Sequence, residues 1–127
     1  MVRVLLVGLG GFAGSILRYL LSGLAQSLFQ TARFPVGTLI VNLSGCFVIG
    51  LLSQLAESQG AFTELTRALV FTGVLGGYTT FSTLSNESLN LLRSGDVALG
   101  LLNVGVQVLG GLALAWAGRI AGQLIWR

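Results

Sequence analysis

The sequence predicts an all-α integral membrane protein with four transmembrane helices, the third of them broken near mid-membrane. Three observations predict this class: the composition, four long apolar stretches, and a glycine-rich interruption of the third stretch. Apolar residues make up 54% of the 127 residues, charged residues make up 9%, and the mean hydropathy is +0.88. A soluble domain carries about 25% charged residues. We therefore exclude soluble folds, and with them the common soluble enzymes.

The few reactive and charged side chains exclude further classes. The chain has no His and one Cys, Cys46, so one chain cannot supply a His/Cys metal site or a His-based nucleophilic relay. Seven arginines and four acidic residues give a net charge of +3. The arginines are scattered singly and form no stripe for nucleic acid. We expect neither an enzyme nor a nucleic-acid-binding protein.

The four apolar stretches form a single transmembrane domain of residues 1–127. They cover about residues 4–24, 36–56, 68–92 (with the break near 76–80) and 97–126. Each is close to or above the roughly 20 residues that cross a bilayer core, and Pro35 is placed to begin the second helix. Arg3 followed by an apolar run also fits a signal peptide. The position of Arg18 and the lack of a small-x-small cleavage site favour a retained helix.

Four helices place both chain ends on one side of the membrane, which allows a charge test of orientation. The arginines at the chain-end side are Arg3, Arg67, Arg119 and Arg127, and those at the opposite side are Arg33 and Arg93. Positive residues normally fix the orientation, and this bias is weak. Two interpretations stay open: a single orientation, or insertion both ways with opposite copies paired about a two-fold axis in the membrane plane.

Glycine pairs four residues apart predict close helix packing. The pairs are Gly10 and Gly14, Gly73 and Gly77, and Gly118 and Gly122. Small residues at this spacing let helix backbones approach each other in lipid.

The third stretch contains the segment from Gly76 to Thr80, which reads Gly-Gly-Tyr-Thr-Thr. These residues weaken helix propensity in mid-membrane, and we predict an interrupted helix there. An interruption frees backbone carbonyls that protein, water or an ion must satisfy. The alternative is a continuous helix whose glycines only pack.

Polar residues inside the apolar stretches are costly and therefore informative. Arg18 is either a snorkelling side chain or a positive charge near an anion pathway. Asn42 is either an interhelical hydrogen-bond partner or a donor aimed at a dehydrated anion. For Gln107 bonding between helices is favoured over pore lining, and for Glu87 we expect a position near an interface, bonded between helices or neutral.

The motifs at these residues resemble those of the CrcB/Fluc fluoride channel family, over essentially the whole chain. They are Gly-Gly-x-Thr-Thr-Phe-Ser-Thr at residues 76–83, Val-Asn-Leu with a following Gly at residues 41–45, and Leu-Arg-Tyr at residues 17–19. The resemblance implies a dual-topology antiparallel homodimer in the cell (inner) membrane, with two narrow pathways that export fluoride passively and relieve its toxicity.

The resemblance also assigns residues by motif position. It implies a structural sodium ion at the dimer centre, held by the backbone carbonyls of Gly76 and Thr79 from each copy. The fluoride pathway residues that it implies are Asn42, Phe81, Ser82, Thr83, Leu84 and Arg18, with Arg18 at a vestibule. Leu84 stands where the family usually has a second phenylalanine. A phenylalanine ring has a positive edge that can stabilise a bare anion weakly, as conduction requires.

Two other functions compete with the channel. A small four-helix dimeric multidrug-type exporter needs a titratable carboxylate in its substrate site. The first two helices carry none until Glu57 at the end of the second, which disfavours this function. A non-transporting assembly protein would use the glycines for packing, but it explains neither the break nor the polar residues around it.

Overall fold

The computed structural model describes residues 1–29, 33–60 and 62–126, and within them every regular element is helical. The elements are α1 (Val2–Phe29), α2 (Val36–Gln59), α3 (Glu64–Arg67), a π-helical segment (Ala68–Leu75), α4 (Gly76–Tyr78), α5 (Phe81–Arg93) and α6 (Val97–Ile125). In these ranges, three helices, α1, α2 and α6, are long and apolar enough to cross a membrane. The third predicted stretch, residues 68–92, is divided among the π-helical segment, α4 and α5, and α3 precedes it.

The interruption of the third stretch lies at Thr79 and Thr80. Thr79 has φ −85° and ψ 156°, and Thr80 has φ −150° and ψ 113°, so both residues are extended. Gly76 is helical, with φ −64° and ψ −36°. The extended residues therefore lie within the segment 76–80 and begin two residues after the glycine pair.

The glycines of this stretch instead allow a close backbone contact with α1. A Cβ atom on Gly73 would lie 2.9 Å from the Cα of Gly10, and one on Gly77 would lie 2.6 Å from the carbonyl oxygen of Gly11. Backbone atoms cannot move aside as a flexible side chain can, so only glycine fits at these positions. The paired glycines are thus packing residues, as their spacing predicts.

The other long helices also meet through glycines. A Cβ atom on Gly118 of α6 would collide with the carbonyl oxygen of Phe47 on α2, and one on Gly50 of α2 would collide with that of Ala115 on α6. The buried face of α5 consists of Leu84, Ser88 and Leu91, which packs toward α6. The broken stretch is therefore held between α1 on one side and the α2–α6 pair on the other.

Ion pairs mark the two ends of the helix bundle. At the chain-end side, Arg3 pairs with Glu64. On the same side, the two terminal nitrogens of Arg119, Nη1 and Nη2, donate to the carboxylate of Glu57 at 2.9 and 2.8 Å. At the opposite side, Arg33 lies 3.7 Å from Asp96. Arg3 and Arg119 thus lie at one end of the bundle and Arg33 at the other, as the prediction of four helices that cross the membrane in alternating directions requires. Arg127 lies outside the described residues.

Candidate functional site

A mostly apolar cavity of about 330 Å³ lies beside the break. Its walls come from α2, the broken stretch and α6, and they are formed by Asn42, Gly45, Cys46, Ile49, Phe71, Leu75, Gly76, Thr79, Thr80, Phe81, Leu84, Gln107 and Val108. Five of the residues assigned from sequence therefore meet in one place: Asn42, Gly76, Thr79, Phe81 and Leu84. Residues from distant parts of the chain come together here because the break lies against the middle of α2.

Asn42 is the polar side chain that holds the broken backbone. Its Oδ1 accepts a hydrogen bond from the Thr80 N–H at 2.8 Å, and its Nδ2 donates to the Thr80 carbonyl at 3.1 Å. The same Nδ2 donates to Oε1 of Gln107 at 2.6 Å. The amide thus replaces the helical partners that Thr80 loses at the break, where no bulk water is present to do so.

The hydrogen bonds continue from Asn42 into the protein interior. Gln107 Nε2 donates to Asn103 Oδ1 at 2.8 Å, and Asn103 Nδ2 donates to Ser88 Oγ at 2.9 Å. Sequence reasoning found Gln107 and its bonding between helices but missed Asn103, which is 0% exposed. The signal was available, since positions 103 and 107 lie one turn apart on the same face of a helix.

The break diverts the regular helical donors of the Gly76 and Thr79 carbonyls. In a continuous helix the Thr80 N–H would donate to the Gly76 carbonyl, but it donates to Asn42. Likewise the Thr83 N–H would donate to the Thr79 carbonyl, but it donates to the Thr80 hydroxyl at 3.3 Å. Two hard oxygen acceptors with diverted donors, on the wall of one cavity, fit the requirements of a small hard cation.

The two residues at the proposed phenylalanine positions differ sharply in exposure. The Phe81 side chain is 76% exposed and Leu84 is 5% exposed. Ser82 and Thr83 are also exposed, and they contact the Thr80 hydroxyl at 3.3 and 3.0 Å. The structure therefore brings the hydroxyls together at the start of α5, outside the walls of the cavity.

A second, more polar cavity of about 770 Å³ lies nearer the end that contains Arg33. Glu87 contributes to its wall and accepts a hydrogen bond from the Thr38 hydroxyl at 2.7 Å, so it bonds between α5 and α2. Arg18 is half-buried on α1 and belongs to the wall of neither cavity. Arg18 therefore does not line the cavity that Asn42, Phe81 and Leu84 share.

Comparison with known proteins gives a consistent result over almost the whole chain. Residues 5–119 match the family described as "CrcB-like protein, Camphor Resistance (CrcB)". A protein of Methanosarcina acetivorans named fluoride-specific ion channel FluC 1 is 45% identical over 121 residues, which is 95% of this chain and 91% of that protein. One of Maridesulfovibrio salexigens named fluoride-specific ion channel FluC is 43% identical over 125 residues, 98% of each chain. One of Methylobacillus flagellatus with the same name is 44% identical over 118 residues, 93% of this chain and 92% of that protein.

Proposed function

Because this chain belongs to the CrcB-like family, we propose that it is a fluoride-selective ion channel through which fluoride leaves the cell passively. The observation that carries the proposal is the similarity of more than nine-tenths of the chain to relatives named as fluoride-specific channels. The chain is a multi-pass membrane protein, and we place it in the cell inner membrane. Export by this route relieves fluoride toxicity without an energy source.

The chemistry of the cavity beside the break supports passage of a small anion. Fluoride is strongly hydrated, so a selective path must replace water with weak donors that still let the ion leave. The Asn42 amide supplies N–H donors, and Phe81 can offer the positive edge of its ring. Leu84 adds an apolar surface where a second phenylalanine is expected. Of these two positions, only Phe81 can therefore offer a ring edge to the anion.

We propose that the functional unit is an antiparallel homodimer with both orientations in the membrane. The side of the cavity formed by Phe81 and Gly76 is exposed in a single chain. A second copy in the opposite orientation would cover this side and complete two pathways related by a two-fold axis. The weak arginine bias permits both orientations.

We also propose a structural sodium ion at the dimer centre, which the family resemblance implies and the same symmetry permits. The carbonyls of Gly76 and Thr79 have lost their regular donors to Asn42 and to the Thr80 hydroxyl. Two copies would supply each carbonyl twice, which gives hard oxygen ligands without an acidic side chain. The ion would fix the two breaks relative to each other.

The function is tested by ion flux in liposomes that contain the purified protein. We expect rapid fluoride flux and little chloride flux under the same electrical driving force. Equal flux of the two anions would remove the claim of selectivity. Strict dependence of flux on a proton gradient would instead favour the multidrug-type exporter.

The assembly and the cation have separate tests. Reporters fused to the C-terminus should be found on both sides of the membrane, and labelling of one side alone would contradict dual topology. Density on the two-fold axis of an experimental dimer structure should change when sodium in the buffer is replaced. Density that stays the same, with tetrahedral hydrogen-bond distances, would identify a water molecule.

A further inference from the structure

The side chains behind Asn42 form a hydrogen-bond chain with a single direction. A peptide N–H can only donate, so the Thr80 N–H requires the oxygen of the Asn42 amide to face it, at 2.8 Å. The Asn42 nitrogen must then face Gln107, which presents Oε1 at 2.6 Å. Gln107 therefore turns its nitrogen to Asn103 Oδ1, and Asn103 turns its nitrogen to Ser88 Oγ. The backbone at the break thus determines the orientation of all three amides.

Asn42 has no freedom to turn while this chain is intact. Both of its amide hydrogens are used, one by the Thr80 carbonyl at 3.1 Å and one by Gln107 at 2.6 Å. The contact to Gln107 is the shorter one. An anion that approaches from the cavity competes with the Thr80 carbonyl for a hydrogen, while Gln107 keeps the amide in plane.

The far members of the chain are buried away from the cavity. Asn103 is 0% exposed and Ser88 is 4% exposed, and neither belongs to the cavity wall, whereas Gln107 does. A buried side-chain network of this kind is costly unless each member has its partner. Asn103 can therefore act on an ion in the cavity only by fixing Gln107 and, through it, Asn42.

We infer that Gln107 and Asn103 are positioning residues for Asn42, and that they set the preference of the pathway for fluoride, Gln107 from the cavity wall and Asn103 from behind it. The inference rests on the proposed fluoride-channel function. It differs from a simple interhelical contact between α5 and α6, because such a contact would stabilise the fold without changing which anion passes.

The test compares anion flux through full-length variants in liposomes. Asn103→Leu removes the partner of Gln107 without touching the cavity. We expect fluoride flux to fall about three- to twentyfold, the range that one membrane hydrogen bond supports, and the fluoride-to-chloride ratio to fall with it. The matched control is Ser44→Ala, which removes the interhelical hydrogen bond of 2.7 Å between Ser44 and Tyr78. This bond is not part of the hydrogen-bond chain behind Asn42. We expect Ser44→Ala to leave the ratio unchanged.

Two results would overturn the inference. One is a folded Asn103→Leu with the wild-type ratio, and the other is a fall in the ratio that Ser44→Ala reproduces. If Asn103→Leu fails to fold, Ser88→Ala is the second variant, because it removes only the last acceptor of the chain. We expect it to lower the ratio less but in the same direction, and an unchanged ratio there also overturns the inference.

A stability measurement separates this inference from the channel function. If the wild-type protein carries no fluoride, the proposed function is wrong, and the inferred fluoride preference is wrong with it. The positioning of Asn42 by Gln107 and Asn103 is then decided separately, by thermal unfolding of Asn42→Leu, Asn103→Leu and the double variant. Asn42 and Asn103 share no direct hydrogen bond and are connected only through Gln107. If Gln107 did not couple them, the decreases in melting temperature of the two single variants would add in the double variant. We expect the decrease in melting temperature of the double variant to be smaller than the sum of the two single decreases. Additive shifts would overturn the inference.

Discussion

The two halves of the broken helix are held in place by different forces. The half before the break, residues 68–78, lies against α1 through backbone contacts at Gly10, Gly11, Gly73 and Gly77. The half after the break, α5, packs toward α6 through its buried face, and side-chain hydrogen bonds fix it as well, between Asn103 and Ser88 and between Asn42 and the backbone of Thr80 just before the helix. The first contact depends on shape and the second on the direction of hydrogen bonds.

This difference teaches which changes each half can tolerate. In lipid the hydrophobic effect does not drive helices together, so association relies on close packing and on polar contacts. The first half should be sensitive to added volume and indifferent to polarity. The second half should accept small changes in volume and fail when a donor or acceptor is lost.

The largest expected effect is added volume in the first half. In Gly10→Ala the new Cβ would lie 2.5 Å from the Leu69 carbonyl oxygen and 2.9 Å from the Cα of Gly73. We expect a loss of about 3 kcal/mol in the free energy of unfolding, the upper range for overpacking, measured by denaturation in detergent. Gly8→Ala on the same helix is the control, because nothing lies within 4 Å; there the change should be neutral or stabilising by about 0.5–1 kcal/mol. Equal losses of unfolding free energy in Gly10→Ala and Gly8→Ala would show that close backbone packing does not hold the first half.

A smaller effect is expected from the loss of Asn42 in the second half. Asn42→Leu keeps the approximate volume but removes three hydrogen bonds. At about 0.6 kcal/mol for each membrane hydrogen bond, the variant should lose about 2 kcal/mol in unfolding free energy. Fluoride flux should fall as well. A variant as stable as the wild type would show that polarity does not hold this half.

The cap of α5 should contribute less again. The Thr80 hydroxyl accepts from the Thr83 N–H at 3.3 Å, and loss of such a cap costs about 1 kcal/mol. We therefore expect Thr80→Ala to lower the unfolding free energy by about that amount, and Thr80→Ser to restore most of it. Failure of the serine to restore stability would assign the loss to packing of the methyl group.

The smallest effect is expected outside both halves, at the ion pair of Arg119 and Glu57. The pair lies at the exposed end of α2 and α6, where solvent screens charges. Arg119→Gln should shift the melting temperature less than any of the changes above, and the shift should shrink in high salt. A large, salt-independent shift would mean that the pair holds the two helices together.

The sequence predicts the parts of this protein that depend on local pattern. The apolar stretches predict the membrane location and the helices, since length and hydropathy alone decide whether a segment can cross a bilayer. The spacing of Gly10 and Gly14 predicts close packing. The motif around Phe81 indicates the family, which the comparisons confirm. The sodium ion and the opposite orientations of two copies stay predictions.

The tertiary structure decided where the helix breaks and which amides meet there. The sequence predicts an interruption somewhere in residues 76–80, and in the structure the extended residues are Thr79 and Thr80. The reason is that Asn42, 38 positions earlier, lies close enough to take the Thr80 N–H out of the helix. The spacing of Asn103 and Gln107 is visible in the sequence, but the bond from Asn103 to Ser88 of α5 depends on how the helices pack. Hydropathy and glycine spacing are local properties of the chain, whereas the partner of a buried donor is fixed only when the helices have packed.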